Sequence, residues 1–239
     1  MENTLVTKPE GRPEQVDSIL NSLDRYNVDN IKVLQEYVQK QAQEGGIDIV
    51  ANLALLKLYQ FNNHLAKDDI VVIILSKALV RFYSSDFTTA LHLLPGYVTT
   101  TVDPQPDSLT DQCQKLLKLY ELLDGCKYSE FWQLFKSDDS YEDMVADVNG
   151  FADDLRLSIA KTVEVAAKRI PVKVFQNWCN LSDAKFKEWV ESNLGWTIKD
   201  DSVEVPLNKD NDAKPVITSE TVKFEQLNRI IKRAYELKI

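Results

Sequence analysis

Residues 21–62 read NSLDRYNVDNIKVLQEYVQKQAQEGGIDIVANLALLKLYQFN, and they decide the fold. Asp29 and Asn30 stand where they can cap a helix. Ile31, Leu34, Tyr37, Val38 and Ala42 then recur at three- and four-residue steps, which is one helical face. Gly45-Gly46 ends that helix, because glycine tolerates the left-handed backbone of a helix stop. Asp48 starts the next one. Val50, Leu53, Ala54, Lys57 and Leu58 share a face, while Leu55, Leu56, Tyr59 and Phe61 make the others apolar as well. A helix that is hydrophobic nearly all round is buried among other helices. The expected fold class is therefore mainly α.

The reading extends in both directions from this pair. Residues 1–12 are expected to form a disordered lead, and Pro13 opens a helix faced by Val16, Ile19, Leu20 and Leu23. Asp68-Asp69 begin a further helix, with carboxylates at the positive end of its dipole. Ser85-Asp86 begin another, which ends by Pro95-Gly96. The prolines and aspartates of TTTVDPQPDS (99–108) oppose regular structure. Asp107 or Ser108 caps the helix of Cys113, Leu116, Leu117, Tyr120 and Leu123, and KYSEFWQLF (127–135) makes a short aromatic helix. An acidic connector with Asp138, Asp139, Glu142, Asp143 and Asp147 follows. Phe151, Leu155, Ile159, Val163, Ala166 and Ile170 then line a long amphipathic helix. Successive helix pairs with short connections describe an α-solenoid-like array over 13–170, without a strict sequence period.

The pattern changes after Ile170. Pro171 opens a helix through VKVFQNWCN, and Ser182 caps another with Phe186, Trp189 and Val190 on one face and Leu194-Gly195 as its stop. Val203, Val205 and Leu207 then alternate with Ser202, Glu204 and Pro206, a strand pattern, and Val216-Ile217 is the expected second strand of a hairpin. A helix from about Lys223 to Lys238 finishes the chain. Two short helices, a hairpin and a flanking helix define a winged-helix domain over 171–239.

Composition bounds the function. Apolar residues make up 44% of the 239, and 7 glycines and 8 prolines favour helices over turn-rich sheet. The apolar run Ile70–Leu75 is too short to span a bilayer, and the start of the chain shows no signal peptide, so a cytoplasmic protein is expected. The formal charge is −9, all of it carried by residues 1–170. An acidic body repels phosphate backbones, which argues against direct DNA binding. In the second short helix of the winged-helix domain, Lys185 and Lys187 face Asp183, Glu188 and Glu191, a poor combination for reading a major groove.

The chain offers no catalytic constellation. His64 and His92 lack partners at metal-ligand spacing, and Cys113, Cys126 and Cys179 sit in apolar helical contexts without a base. Gly45-Gly46 lacks the Lys-Ser/Thr of a phosphate loop, and Gly150 is misplaced for a calcium loop after the acidic run. No catalytic, metal or cofactor residue is assigned, and the chain is not expected to be an enzyme.

Three regions of the chain carry a family resemblance. LDRYN (23–27) with ANLALLKLYQFN (51–62), and LLDGCKYSEFW (122–132), resemble the eukaryotic translation initiation factor 3 subunit K family; LSDAKFKEWVESNLGW (181–196) is similar to its winged-helix part. The resemblance covers about residues 13–235, and the 97–108 loop looks longer than the family's. It implies a HEAT-like helical repeat domain packed on a winged-helix domain, and a non-catalytic scaffold subunit. It also implies the other subunits of the factor as partners, subunit L nearest, and the small ribosomal subunit reached through the complex. The alternatives are a related scaffold subunit of the proteasome lid or COP9 signalosome, and a winged-helix nucleic-acid-binding protein.

The expected partner-binding element is the last helix. Phe224, Leu227, Ile230, Ile231, Ala234, Tyr235 and Leu237 occupy more of it than one packing face needs. Leu227, Ile231 and Ala234 form a stripe, from which Phe224, Ile230 and Leu237 are read as displaced. The competing expectation is that the helix folds back onto the winged helix. Val203 and Val205, on the wing strand, are the second candidate contact.

Overall fold

In the computed structural model, residues 8–9, 11–212 and 224–236 are described. Helix α1 (Glu14–Asn21) follows Pro13 and buries Val16, Ile19 and Leu20. Leu23 does not join that face: α1 stops before Ser22, and Leu23 opens a 3-10 turn in which it is 87% exposed. The lead is anchored at its end. The Arg12 guanidinium donates from Nε and Nη2 to the two Asp48 carboxylate oxygens and from Nη1 to Asp17. Residues 1–7 and 10 of the expected disordered lead lie outside the described residues.

Helices α2 (Ile31–Glu44) and α3 (Ile49–Phe61) stand where the pattern put them. The cap before α2 lies earlier than expected. The Asn27 side chain accepts from the Asp29 amide, while Asn30 donates to the Asp24 carbonyl. Gly45 and Gly46 have φ of 83° and 72°, which glycine adopts without strain. Asp48 caps α3 by accepting from the Ala51 amide. The two helices run antiparallel, bridged by buried pairs: Gln35 donates to the Tyr59 hydroxyl at 2.7 Å and Gln41 to Asn52 at 2.9 Å. Those pairs orient α3. Asn52, Leu55, Leu56 and Tyr59 are buried, so the face of Val50, Leu53 and Lys57 is only half-buried and Phe61 is exposed.

Helix α4 (Asp68–Val80) is the axis of the body, with every residue from Ile70 to Val80 buried. Helices α5 (Asp86–His92) and α6 (Tyr97–Thr100) follow. The irregular loop closes at Ser108, whose hydroxyl caps α7 (Leu109–Asp124) by accepting from the Asp111 amide. Helix α8 (Tyr128–Phe135) carries the aromatic segment. The acidic run is a helix, not a connector. Asp138 caps α9 (Asp139–Val145), and Tyr141, Met144 and Val145 are buried at helical spacing. Helix α10 (Phe151–Ala166) ends four residues short of Ile170. Helices α2, α5, α7, α9 and α10 all pack on α4.

Ile170 instead lies on strand β1 (Arg169–Pro171), which leads into α11 (Val172–Cys179) and α12 (Asp183–Trp189). A π turn, Val190–Leu194, ends at Gly195 with φ 63°. Strands β2 (Thr197–Lys199) and β3 (Ser202–Glu204) complete a three-stranded antiparallel sheet in the order β1-β3-β2, with Val203 opposite both Ile170 and Ile198. The hairpin partner of β3 is therefore β2. Asp200 and Asp201 have φ of 46° and 62°, the positive pair that a type I′ turn requires. The strand expected at Val216-Ile217 lies outside the described residues. Helix α13 (Phe224–Glu236) ends the described chain.

One buried cluster runs without a break from Val16 to Val205. The joint between α8–α10 and the sheet unit is made by polar groups as well. Trp132 Nε1 donates to the Trp178 carbonyl at 2.8 Å, and Arg156 Nε to the Cys179 carbonyl at 2.9 Å.

Candidate protein-binding site

At 100° per residue, α13 places Ile230, Ala234, Leu227, Ile231, Phe224 and Tyr235 in one arc of about 140°. Phe224 and Ile230 thus belong to the apolar face and are not displaced from it; Leu237 lies outside the described residues. Every α13 side chain described is exposed. Even Leu227 and Ile231, at the middle of the arc, are 44% exposed, and Phe224, Ile230 and Tyr235 more so. Folding back onto the sheet unit would have buried this arc. Arg229, Lys232 and Arg233 lie on the opposite side, and none forms a salt bridge among the described residues.

The second candidate contact is placed differently. Val203 and Val205 are buried in the protein's own core, with exposures of 0% and 5%. Val203 stands opposite Ile170 and Ile198 on the central strand β3 and is fully buried, so its side chain is not presented to a partner. Another exposed apolar group escaped the reading of the sequence. Leu23, Tyr26 and Val28 on the 3-10 turns before α2 are exposed, as is Phe61 at the end of α3. The signal was present in LDRYNV, where three large apolar residues follow the end of α1 without helical spacing.

Burial holds the Cys113 and Cys179 thiols up to about 12, so neither offers a thiolate at neutral pH. Cys126 is exposed and accepts a weak hydrogen bond from the Tyr128 hydroxyl. His92 Nδ1 is bonded to the Thr88 carbonyl, and His64 sits in a 3-10 turn. Among the described residues no group of three or more His, Cys, Asp or Glu could hold a metal ion, and no helix is long and apolar enough to cross a membrane.

A mainly helical body, a small three-stranded sheet joined to it and an exposed amphipathic helix make up the described chain. The CSN8/PSMD8/EIF3K family model matches residues 65–216. A protein of Yarrowia lipolytica, "Eukaryotic translation initiation factor 3 subunit K", is 48% identical over 236 residues, covering 98% of this chain and all of the relative. Proteins of the same name from Sclerotinia sclerotiorum and Aspergillus fumigatus are 45% and 40% identical, covering 94% and 96% of this chain and 95% and 96% of the relatives. The chain belongs to the eukaryotic translation initiation factor 3 subunit K family.

Proposed function

We propose that this chain is a non-catalytic scaffold subunit of eukaryotic translation initiation factor 3, held in the complex by the apolar arc of α13. The observation that carries the reading is that arc: six apolar side chains on one side of a terminal helix, with nothing described covering them. The name shared by its relatives supports the choice of complex. In this reading residues 13–170 are a HEAT-like repeat body and residues 171–239 a winged-helix domain, with β1 straddling the boundary. The chain acts in the cytoplasm without a cofactor. Subunit L is its nearest neighbour, and it reaches the small ribosomal subunit through the complex, not by binding nucleic acid itself. The acidic balance of 1–170 supports the last point.

Deleting residues 223–239 tests the reading. The body should melt as before, because the described α13 side chains are not part of its core, and the chain should disappear from factor 3 purified through another subunit. Recovery of the truncated chain at full yield would place the contact elsewhere, with Leu23, Tyr26 and Phe61 the next surface to test.

A further inference from the structure

We infer that Asn149 is a site of spontaneous deamidation, and that its conversion loosens the joint between α2 and the turn that leads into α10. Asn149-Gly150 is the one Asn-Gly pair in the chain. Glycine has no Cβ, so it leaves the approach of its own nitrogen to the preceding side-chain amide unobstructed. The pair lies in the turn between α9 and α10, where Asn149 is exposed and Gly150 has φ of 74°. The Gly150 N–H donates no backbone hydrogen bond among the described residues, so the attacking nitrogen is not tied down.

The same side chain finishes α2. The last carbonyls of a helix have no partner inside it. In α2 these are Gln41, Ala42, Gln43 and Glu44, and neither Gly45 nor Gly46 returns a backbone hydrogen bond to them. Donors from distant elements serve them instead. Lys77 Nζ donates to the Gln41 carbonyl at 2.7 Å, the Asn149 N–H to the Ala42 carbonyl at 2.9 Å, and Asn149 Nδ2 to the Gln43 carbonyl at 3.0 Å across 106 positions. Deamidation removes the last of these by its own chemistry. The Gly150 nitrogen attacks Asn149 Cγ and gives up its proton, and Nδ2 takes up a proton and leaves as ammonia. Water then opens the cyclic imide at one carbonyl to give aspartate, or at the other to give isoaspartate. The nitrogen that departs is the one bonded to Gln43. The carboxylate that replaces it only accepts hydrogen bonds, and it faces a carbonyl at the negative end of the α2 dipole. Lys77 offsets part of that repulsion, whereas Asp147 and Asp153 on either side of the turn add to it. Isoaspartate also lengthens the main chain just before α10 begins.

Ageing the full-length chain at mildly alkaline pH tests the site. Peptide mapping by mass spectrometry should find the gain of deamidation first in the peptide that holds Asn149-Gly150. The aged chain should also accept a methyl group from isoaspartyl methyltransferase, and N149Q should not, because its longer side chain closes the ring far more slowly. Deamidation that appears first at another asparagine, no change at this peptide, or equal methylation of N149Q would overturn the assignment. The consequence has its own readout. N149D should melt roughly 2–4 °C below the fresh wild type, the shift of one lost hydrogen bond in a chain of this size. The deamidated fraction of wild type, separated by ion exchange, should melt lower as well, and it gives the reading if N149D does not fold. An unchanged melting temperature for both would show that the joint does not depend on this amide and would overturn the second half.

Discussion

The guanidinium of Arg12 holds both carboxylate oxygens of Asp48, at 2.6 and 2.8 Å, across 36 positions of sequence. Asp48 also caps α3 and accepts from the Tyr37 hydroxyl, whose ionisation burial pushes up to about 12. Removing one member of a buried pair strands the other. Asp48→Ala is expected to cost about 3–5 kcal/mol, the lost cap included. Urea unfolding measures it, and a loss below about 1 kcal/mol would show that Arg12 finds another partner or water.

Helix α3 presents a sharp contrast two residues apart. Leu55 is fully buried and Leu53 is half-buried. Leu55→Ala should cost about 2–5 kcal/mol, and Leu53→Ala about 1 kcal/mol. Equal losses would mean that the outer face of α3 is covered in solution.

A thiol reagent should distinguish the three cysteines. Cys126 is exposed and should label within minutes in the native protein. Cys113 and Cys179 should label only on unfolding, since burial both blocks access and disfavours the thiolate. Rapid labelling of two or more sites would contradict the packing of α7 or α11.

Lys77 is buried on α4, donating to the Gln41 carbonyl at 2.7 Å, and burial lowers its pKa below 10.5 against an opposing pull from Asp154. Below 10.5 the unfolded chain therefore holds more protons on this group than the folded chain does. Stability should rise with pH through the window between the lowered value and 10.5. Lys77→Met should abolish that rise. Denaturation midpoints of both proteins between pH 7 and 10.5 test it, and parallel curves would show that Lys77 stays hydrated.

Helix-forming segments were legible because apolar spacing reports a helical face: α2, α3, α4, α8 and α13 stand near where that spacing puts them, whether the face is buried, as in α4, or exposed, as in α13. The misses have physical causes. Ile170 fits the period of α10, but the helix ends and pairing with Val203 moves it into a strand. Strand β2 is three residues long and is defined by a turn through Asp200-Asp201, not by a pattern of its own. In α13 the helix was legible from its apolar residues, although Phe224 and Ile230 share one arc with Leu227 and Ile231 and are no surplus to it. The burial of Val203 and Val205 was not legible, because alternation marks a strand without saying which neighbours cover it. The grips of Arg12 on Asp48 and Trp132 on Trp178 join residues 36 and 46 positions apart, which no local spacing encodes.

The most direct test of the central claim is to purify the full-length chain from cytosol through its own tag and identify its stoichiometric companions. The account predicts the other subunits of translation initiation factor 3, with subunit L retained longest as salt is raised. Companions from the proteasome lid or the COP9 signalosome, or a chain that elutes alone with α13 intact, would contradict it.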